Sequence, residues 1–228
     1  DFEGRAPGTP GEDKTVAYLI AQMQKIGLEP GGVNGSWTQA VPMMRSEVES
    51  PVTMTFSTPE TVLTLNQGVS VSVDTATALT NISAADVPVV FVGFGANAPE
   101  QDWDDYGDID LADKLVIYLV NDPDFAAQPD EPVAGRFGNR RMTYYGRWAY
   151  KFEEAARRGA FGALVIHETE AAGYDWSVAA AGAGENVSLA NKDPKALPVK
   201  LQGWLHNDAA HKLLATAGHD LDALREKA

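Results

Sequence analysis

Four histidines, His167, His206, His211 and His219, are the side chains of this 228-residue chain best suited to hold a metal. A catalytic zinc needs three protein ligands converging on it, with a further position open to water or substrate. His206 and His211 are five residues apart and fall on different faces of a helix. Two histidines four apart with a glutamate between them, the zincin arrangement, do not occur in the sequence. His167-Glu168 follows an apolar run and reads as the capped end of a strand with no metal role. The absence of cysteine excludes disulfides, thiolate zinc sites and thiol catalysis together.

The carboxylates are more closely grouped. Asp102, Asp104, Gly107, Asp108, Asp110 and Asp113 fall at positions 1, 3, 6, 7, 9 and 12 of an EF-hand-like loop. Tyr106 occupies position 5, and Asp113 stands where a bidentate glutamate is usual. No helical pattern flanks the segment, so it reads as a solvated acidic turn. Serine catalysis lacks its frame: there is no Gly-x-Ser-x-Gly elbow, and Ser46, Ser50, Ser57 and Ser70 have no histidine nearby in sequence. Gly93-Phe94-Gly95 follows a strand, but Ala98 replaces a third glycine and no helix opens there. A dinucleotide site is not expected.

Residues 144–160, Tyr-Tyr-Gly-Arg-Trp-Ala-Tyr-Lys-Phe-Glu-Glu-Ala-Ala-Arg-Arg-Gly-Ala, concentrate the remaining chemistry. The spacing predicts a helix over about 143–158. Tyr144, Trp148 and Phe152 lie four apart, and Ala155 and Ala156 continue them as a core face. Arg147, Lys151, Arg157 and Arg158 point elsewhere, with Glu153 and Glu154 placed to pair with Arg157 and Arg158. Such pairs are worth a few tenths of a kcal/mol each, too little to explain the density of Arg, Trp and Tyr. These types are enriched at binding hot spots. Tyr145, Arg147 and Trp148 are therefore the candidate interface or substrate-facing residues. No catalytic and no metal-binding residue is assigned.

The elements that must position this run follow from periodicity. Helix 10–26 has Thr9 as N-cap, Pro10 in its first turn and Glu12 completing a capping box. Val16, Leu19, Ile20, Met23 and Ile26 form its apolar stripe, and Gly27 stops it. Residues 37–41 suit a short strand. Val52–Phe56 and Val69–Val73 alternate as half-buried strands. Val87–Val92 and Leu115–Val120 are continuous apolar runs that suit strands buried on both faces. Strand 115–120, helix 143–158 and strand 161–166 make a βαβ unit with parallel pairing. A strand near 197–204 and a helix near 207–217 follow, with Leu213 and Leu214 inward and Gly218 as the stop. Residues 121–139 and 179–185 read as mobile surface loops. The mixture predicts two sheets, one antiparallel and one partly parallel, with helices on an outer face.

Composition bounds the partners. The hydrophobic fraction of 44% and charged fraction of 22% are those of a globular chain. A formal net charge of −14 disfavours nucleic acid and anionic lipid as partners. No apolar run reaches the roughly 18 residues that a membrane span requires. The first residue is Asp1, inside a patterned segment, and the last residues are helix-like without a stop. Both ends read as cut from something longer, and a signal peptide would lie outside this sequence.

Several segments resemble the zinc-dependent aminopeptidase family that carries a protease-associated domain inserted in its catalytic domain. The first is Glu3-Gly4-Arg5-Ala6-Pro7-Gly8-Thr9-Pro10-Gly11-Glu12, with Tyr18, Ile26–Pro30 and Trp37–Pro42 after it. The second is Val90–Gly95 with Trp103–Tyr106 and Asp110–Lys114. The third is 144–160 with Ile166–Thr169 and Gly173–Trp176, the most specific part. The resemblance implies an α/β swivelling protease-associated domain over 44–228, and over 1–43 the opening helix and loop of the peptidase domain. It implies no cofactor in this chain. Two zinc ions are expected in the parent catalytic domain, held by two His, two Asp and a Glu, with a second Glu as general base. The chain would then be a non-catalytic lid or interaction domain, with its own catalytic domain and peptide or protein substrates as partners. The resemblance also implies a periplasmic or secreted location. Two alternatives stand beside it: a structural spacer or dimerisation domain, and peptidase activity with a separate catalytic portion.

Overall fold

A computed structural model describes residues 2–49, 52–190 and 197–228. Ser50, one of the serines considered above, lies outside them. The chain divides into two compact units, Asp1–Met43 and Met44–Ala228.

The first unit is built on helix α1, Pro10–Lys25. The Thr9 hydroxyl accepts from the Glu12 amide at 3.4 Å, as a capping box requires. The Glu12 carboxylate, however, accepts from the Gly8 amide at 2.6 Å, because the Thr9 amide already donates to the Ala6 carbonyl. Beyond the helix, Gly27 is left-handed and the Leu28 amide donates back to the Met23 carbonyl, closing the last turn. The apolar stripe stays largely in water: Leu19 is 47% and Ile26 74% exposed. Residues 37–41 form no strand.

From Met43, the last residue of the first unit, onward the strands are β1 (Met43–Glu47), β2 (Thr53–Ser57), β3 (Val62–Asn66), β4 (Val71–Asp74), β5 (Val89–Phe91), β6 (Asn97–Ala98), β7 (Trp103–Asp104), β8 (Leu115–Leu119), β9 (Gly162–His167), β10 (Glu185–Leu189) and β11 (Leu201–His206). The helices of the second unit are α2 (Trp148–Arg157), α3 (Thr169–Ala172), α4 (Trp176–Ala181), α5 (Asn207–Thr216) and α6 (Leu221–Arg225). Five strands form one sheet in the order β4-β11-β9-β8-β5. β5, β8, β9 and β11 run parallel, and β4 is antiparallel to β11. The other described strands pair in twos: β1 with β10, β2 with β3, and β6 with β7.

This is an α/β fold, with helices on both faces of the main sheet rather than on one. Leu115, Ile117, Leu119, Leu164 and Ile166 pack with Leu213 and Leu214 of α5. Val116, Tyr118, Ala163 and Val165 pack on the opposite face with Phe152 and Ala155 of α2. Two covered faces explain why β8 and β9 are apolar at nearly every position. Each fully enclosed aliphatic side chain contributes about 1.5–3 kcal/mol.

Three expectations change. β5 is an edge strand with Val89 41% exposed, so its apolar run does not mark a doubly covered strand. β4 is buried on both sides because α4 covers it, the Ser72 hydroxyl donating to the Ala179 carbonyl at 2.6 Å. Ala179–Ala181 therefore end a helix instead of forming a loop.

Candidate binding site

The helix predicted from residue 143 begins at Trp148, and the reason lies in Asp122. Asp122 follows β8 and is fully buried. Its carboxylate accepts from the Thr143 amide at 2.6 Å and the Thr143 hydroxyl at 2.7 Å. Gly146 passes directly over it, and a Cβ there would lie 2.8 Å from the carboxylate. Residues 143–147 are thus bent around a buried anion, and a side chain at 146 has no room. Burial raises the Asp122 pKa, opposed by the Thr143 bonds and by Lys151.

Lys151 is the centre of this cluster and is fully buried. Its ammonium donates to three carbonyls: Phe94, Asn121 at 3.1 Å and Tyr145 at 3.2 Å. Three acceptors match its three N–H donors. They belong to the turn after β5, the end of β8 and the bend before α2, so one side chain ties three segments together. Burial pushes the Lys151 pKa down to about 7, against the pull of the Asp122 and Asp105 carboxylates. Asp105 is pushed up to about 6 by burial and accepts from the Ala96 amide at 2.8 Å and the Trp103 indole at 2.7 Å.

Residues 121–139 are organised by the same chemistry, in place of the mobile loop expected. Asp124, buried, gathers the amides of Phe137, Gly138 and Asn139 at 2.8–3.0 Å on one oxygen. The Asn121 side chain donates to the Ala171 carbonyl at 2.7 Å.

This frame carries the predicted surface. Tyr145 is half-buried, its hydroxyl donates to Glu100 at 2.6 Å, and its ring stands edge-on to Phe137 and Tyr150. That acceptor raises the Tyr145 pKa to about 12. Arg147 is exposed at the N-cap of α2, and Trp148 is 45% exposed with its ring tilted on Phe152. The three candidates therefore sit together where α2 begins.

The helix face differs from the expected one. Tyr144 and Trp148 are exposed, and Tyr150, Lys151, Phe152, Glu154 and Ala155 are buried. Lys151 is the residue missed. Its signal was spacing: positions 151, 152 and 155 share a face, and Ala155 lies in the core. Glu154 is held by Arg157 at 2.7 Å and Arg158 at 2.8 Å, which allows its burial.

The histidines do not converge. His167 is enclosed by Tyr174, Trp176 and Trp204, with ring centroids 5.4–5.5 Å away. His206, beside it in the β9–β11 register, caps α5 by accepting from the Asp208 amide. His211 lies 3.9 Å from Asp222. The acidic segment also turns on itself: Asp104 accepts from the Tyr106 amide, and Asp110 from the Ala112 amide and Lys114. Among the described residues no three His, Asp or Glu side chains are grouped to hold a metal. Among the described residues, the histidines and carboxylates are not placed to hold a zinc pair.

No protein-family model matches the chain. No curated protein matches it either. Among solved structures, an aminopeptidase from Aneurinibacillus sp. strain AM-1 is similar, at 16% identity and a TM-score of 0.35. The match covers 96% of this chain and 40% of that one, so the chain spans well under half of that protein's length. A TM-score this low lends no weight to fold or chemistry.

Proposed function

We propose that this chain is an accessory, non-catalytic part of a zinc aminopeptidase. The first unit would supply an opening helix of the peptidase domain. The second unit would be the protease-associated domain that shapes access to the active site, with the patch of Tyr145, Arg147 and Trp148 facing the catalytic domain or the peptide. The two zinc ions and the general base would come from the catalytic domain, and the parent would be periplasmic or secreted.

The observation that carries this reading is the partly uncovered apolar stripe of α1. Leu19 and Met23 of its stripe, with Ile26 at the C-cap, are 39–74% exposed, while Val16 and Ile20 are half-buried. An apolar face of this kind marks an interaction surface. It suits a helix made to pack within a larger catalytic domain. The test is zinc content and aminopeptidase turnover, measured for this chain and for the full-length gene product. Zinc and turnover are expected in the full-length protein alone. Stoichiometric zinc and turnover in this chain by itself would overturn the proposal.

A further inference from the structure

His167 and His206 stand side by side. The parallel register of β9 and β11 pairs them directly, on the sheet face that carries Val165 and Trp204. Adjacent strands lie about 4.8 Å apart, so the two imidazoles are neighbours. Residues 169–181, with α3 and α4, cover them. The Tyr174 ring lies 5.4 Å from that of His167. Trp176 meets both imidazoles edge-on, 5.5 Å from His167 and 5.0 Å from His206. Its indole N–H also donates to the Gly68 carbonyl at 3.2 Å, which ties the same segment to the turn before β4.

Neither ring has a place for a second proton. The Nε2 of His167 has no acceptor among the described residues. The Nδ1 of His206 accepts from the Asp208 amide at 3.2 Å and caps α5. Protonation puts a hydrogen on that nitrogen, which ends the cap and sets a positive charge at the positive end of the helix. Two imidazolium ions in adjacent register also repel each other.

The charged neighbours do not offset this. Asp175 and Asp208 are exposed, so water screens their pull on the rings. Glu168 is engaged by Arg225 at 2.6 Å, and Glu170 by Arg140. Burial raises the Tyr174 pKa, which keeps that ring neutral. Burial and then His206 lower the His167 pKa, opposed by its bonds to the backbone of His167 and Tyr174 and by Asp175. Asp74 and Asp105, raised to about 6, favour the fold when protonated, so they cannot drive an opening in acid.

We propose that His167 and His206 form an acid-operated latch on residues 169–181. At neutral pH the uncharged rings pack against Tyr174 and Trp176 and hold α3 and α4 over β11 and β4. When the rings take up protons, the segment is released and uncovers Trp204. The segment contributes Ala171 and Ala172 to the core that β8, β9 and α2 share, so its release leaves the larger part of that core in place. This device needs neither zinc nor a catalytic domain, so it stands or falls apart from the proposed function.

The test is hydrogen exchange of the full chain, read as protection factors at about pH 7.5 and about pH 5. Each histidine that titrates contributes up to about tenfold per pH unit. Amides 169–181 should therefore lose at least about tenfold in protection, and those of β8 and α2 less than about threefold. His167→Phe combined with His206→Asn removes both titrating rings and keeps an acceptor for the Asp208 amide. That double variant should hold its protection at the lower pH to within about twofold. The proposal is overturned if the segment loses no more protection than β8, or if the double variant loses as much as the wild type. Should the double variant not fold, the wild type decides. The midpoint of its protection loss must coincide with the imidazole titrations of His167 and His206 in NMR spectra, and a midpoint below about pH 4.5, in the carboxylate range, overturns the latch.

Discussion

Lys151 and His167 are both nearly inaccessible, at 0% and 3% exposure, yet their surroundings are opposite. The Lys151 ammonium meets three carbonyl oxygens and two nearby carboxylates. His167 meets aromatic faces, and its Nε2 has no hydrogen-bond partner among the described residues. The first is a fully satisfied polar node, and such nodes fix backbone segments in one arrangement. The second tolerates burial by staying neutral: burial, and then the nearby His206, hold its pKa below the usual value. Burial alone therefore says little about the role of a titratable side chain. The number of partners decides it.

The sharpest way to break the contrast is Lys151→Met. It leaves Asp105, Asp122 and three carbonyls without their cation, and a loss of about 3–5 kcal/mol is expected in urea unfolding. A loss below about 1 kcal/mol would show that the node is not the tie described. Gly146→Ala probes the same node from outside, by pressing a methyl group against the Asp122 carboxylate. It should cost about 1–3 kcal/mol in the same measurement, as overpacking does.

His167 predicts an acid sensitivity of the same sign as that of Lys151, whose pKa burial also lowers, but in a lower pH window. The folded pKa of His167 lies below that of the unfolded chain, so the unfolded state takes the proton first. Its contribution is full above about pH 6.5 and is lost as pH falls through that value, by at most about 1.4 kcal/mol per pH unit. Asp74 and Asp105, raised by burial to about 6, act in the opposite sense: their protonated forms favour the fold, and that gain is lost as pH rises through 6. The difference between wild type and His167→Phe, from urea midpoints at pH 8 and pH 5, isolates the histidine. Equal differences at the two pH values would contradict the assignment. The smallest effect belongs to the exposed patch. Arg147→Ala should change stability by less than about 0.5 kcal/mol. In the full-length enzyme it should alter KM, kcat or domain docking if the patch faces substrate or the catalytic domain.

Much of the frame was legible. The apolar runs of β8 and β9 and the helix between them announced a parallel crossover, and β8 and β9 do pair in parallel. The inward positions of Leu213 and Leu214 were readable because a helical period needs no distant partner. The start of α2 was not readable, because the bend at residues 143–147 answers to Asp122, 21 positions earlier than the Thr143 it holds. Residues 121–139 looked loose for the same reason: their order comes from carboxylates gathering amides, which leaves no periodic trace. β5 resembled a buried strand because its composition records apolarity and not its place in the sheet.

What the sequence determined by itself were the features that local pattern or composition carries: the helix stops, the strand–helix–strand order of the βαβ crossover, and a charge and composition that disfavour nucleic acid and exclude thiol chemistry. The tertiary structure alone decided that Lys151 lies in the core. Its acceptors stand 57, 30 and 6 positions away, and only folding brings those carbonyls to one point. A lone lysine in a sequence reads as solvated because the cost of burying its charge is local, and the carbonyls and carboxylates that offset that cost are not.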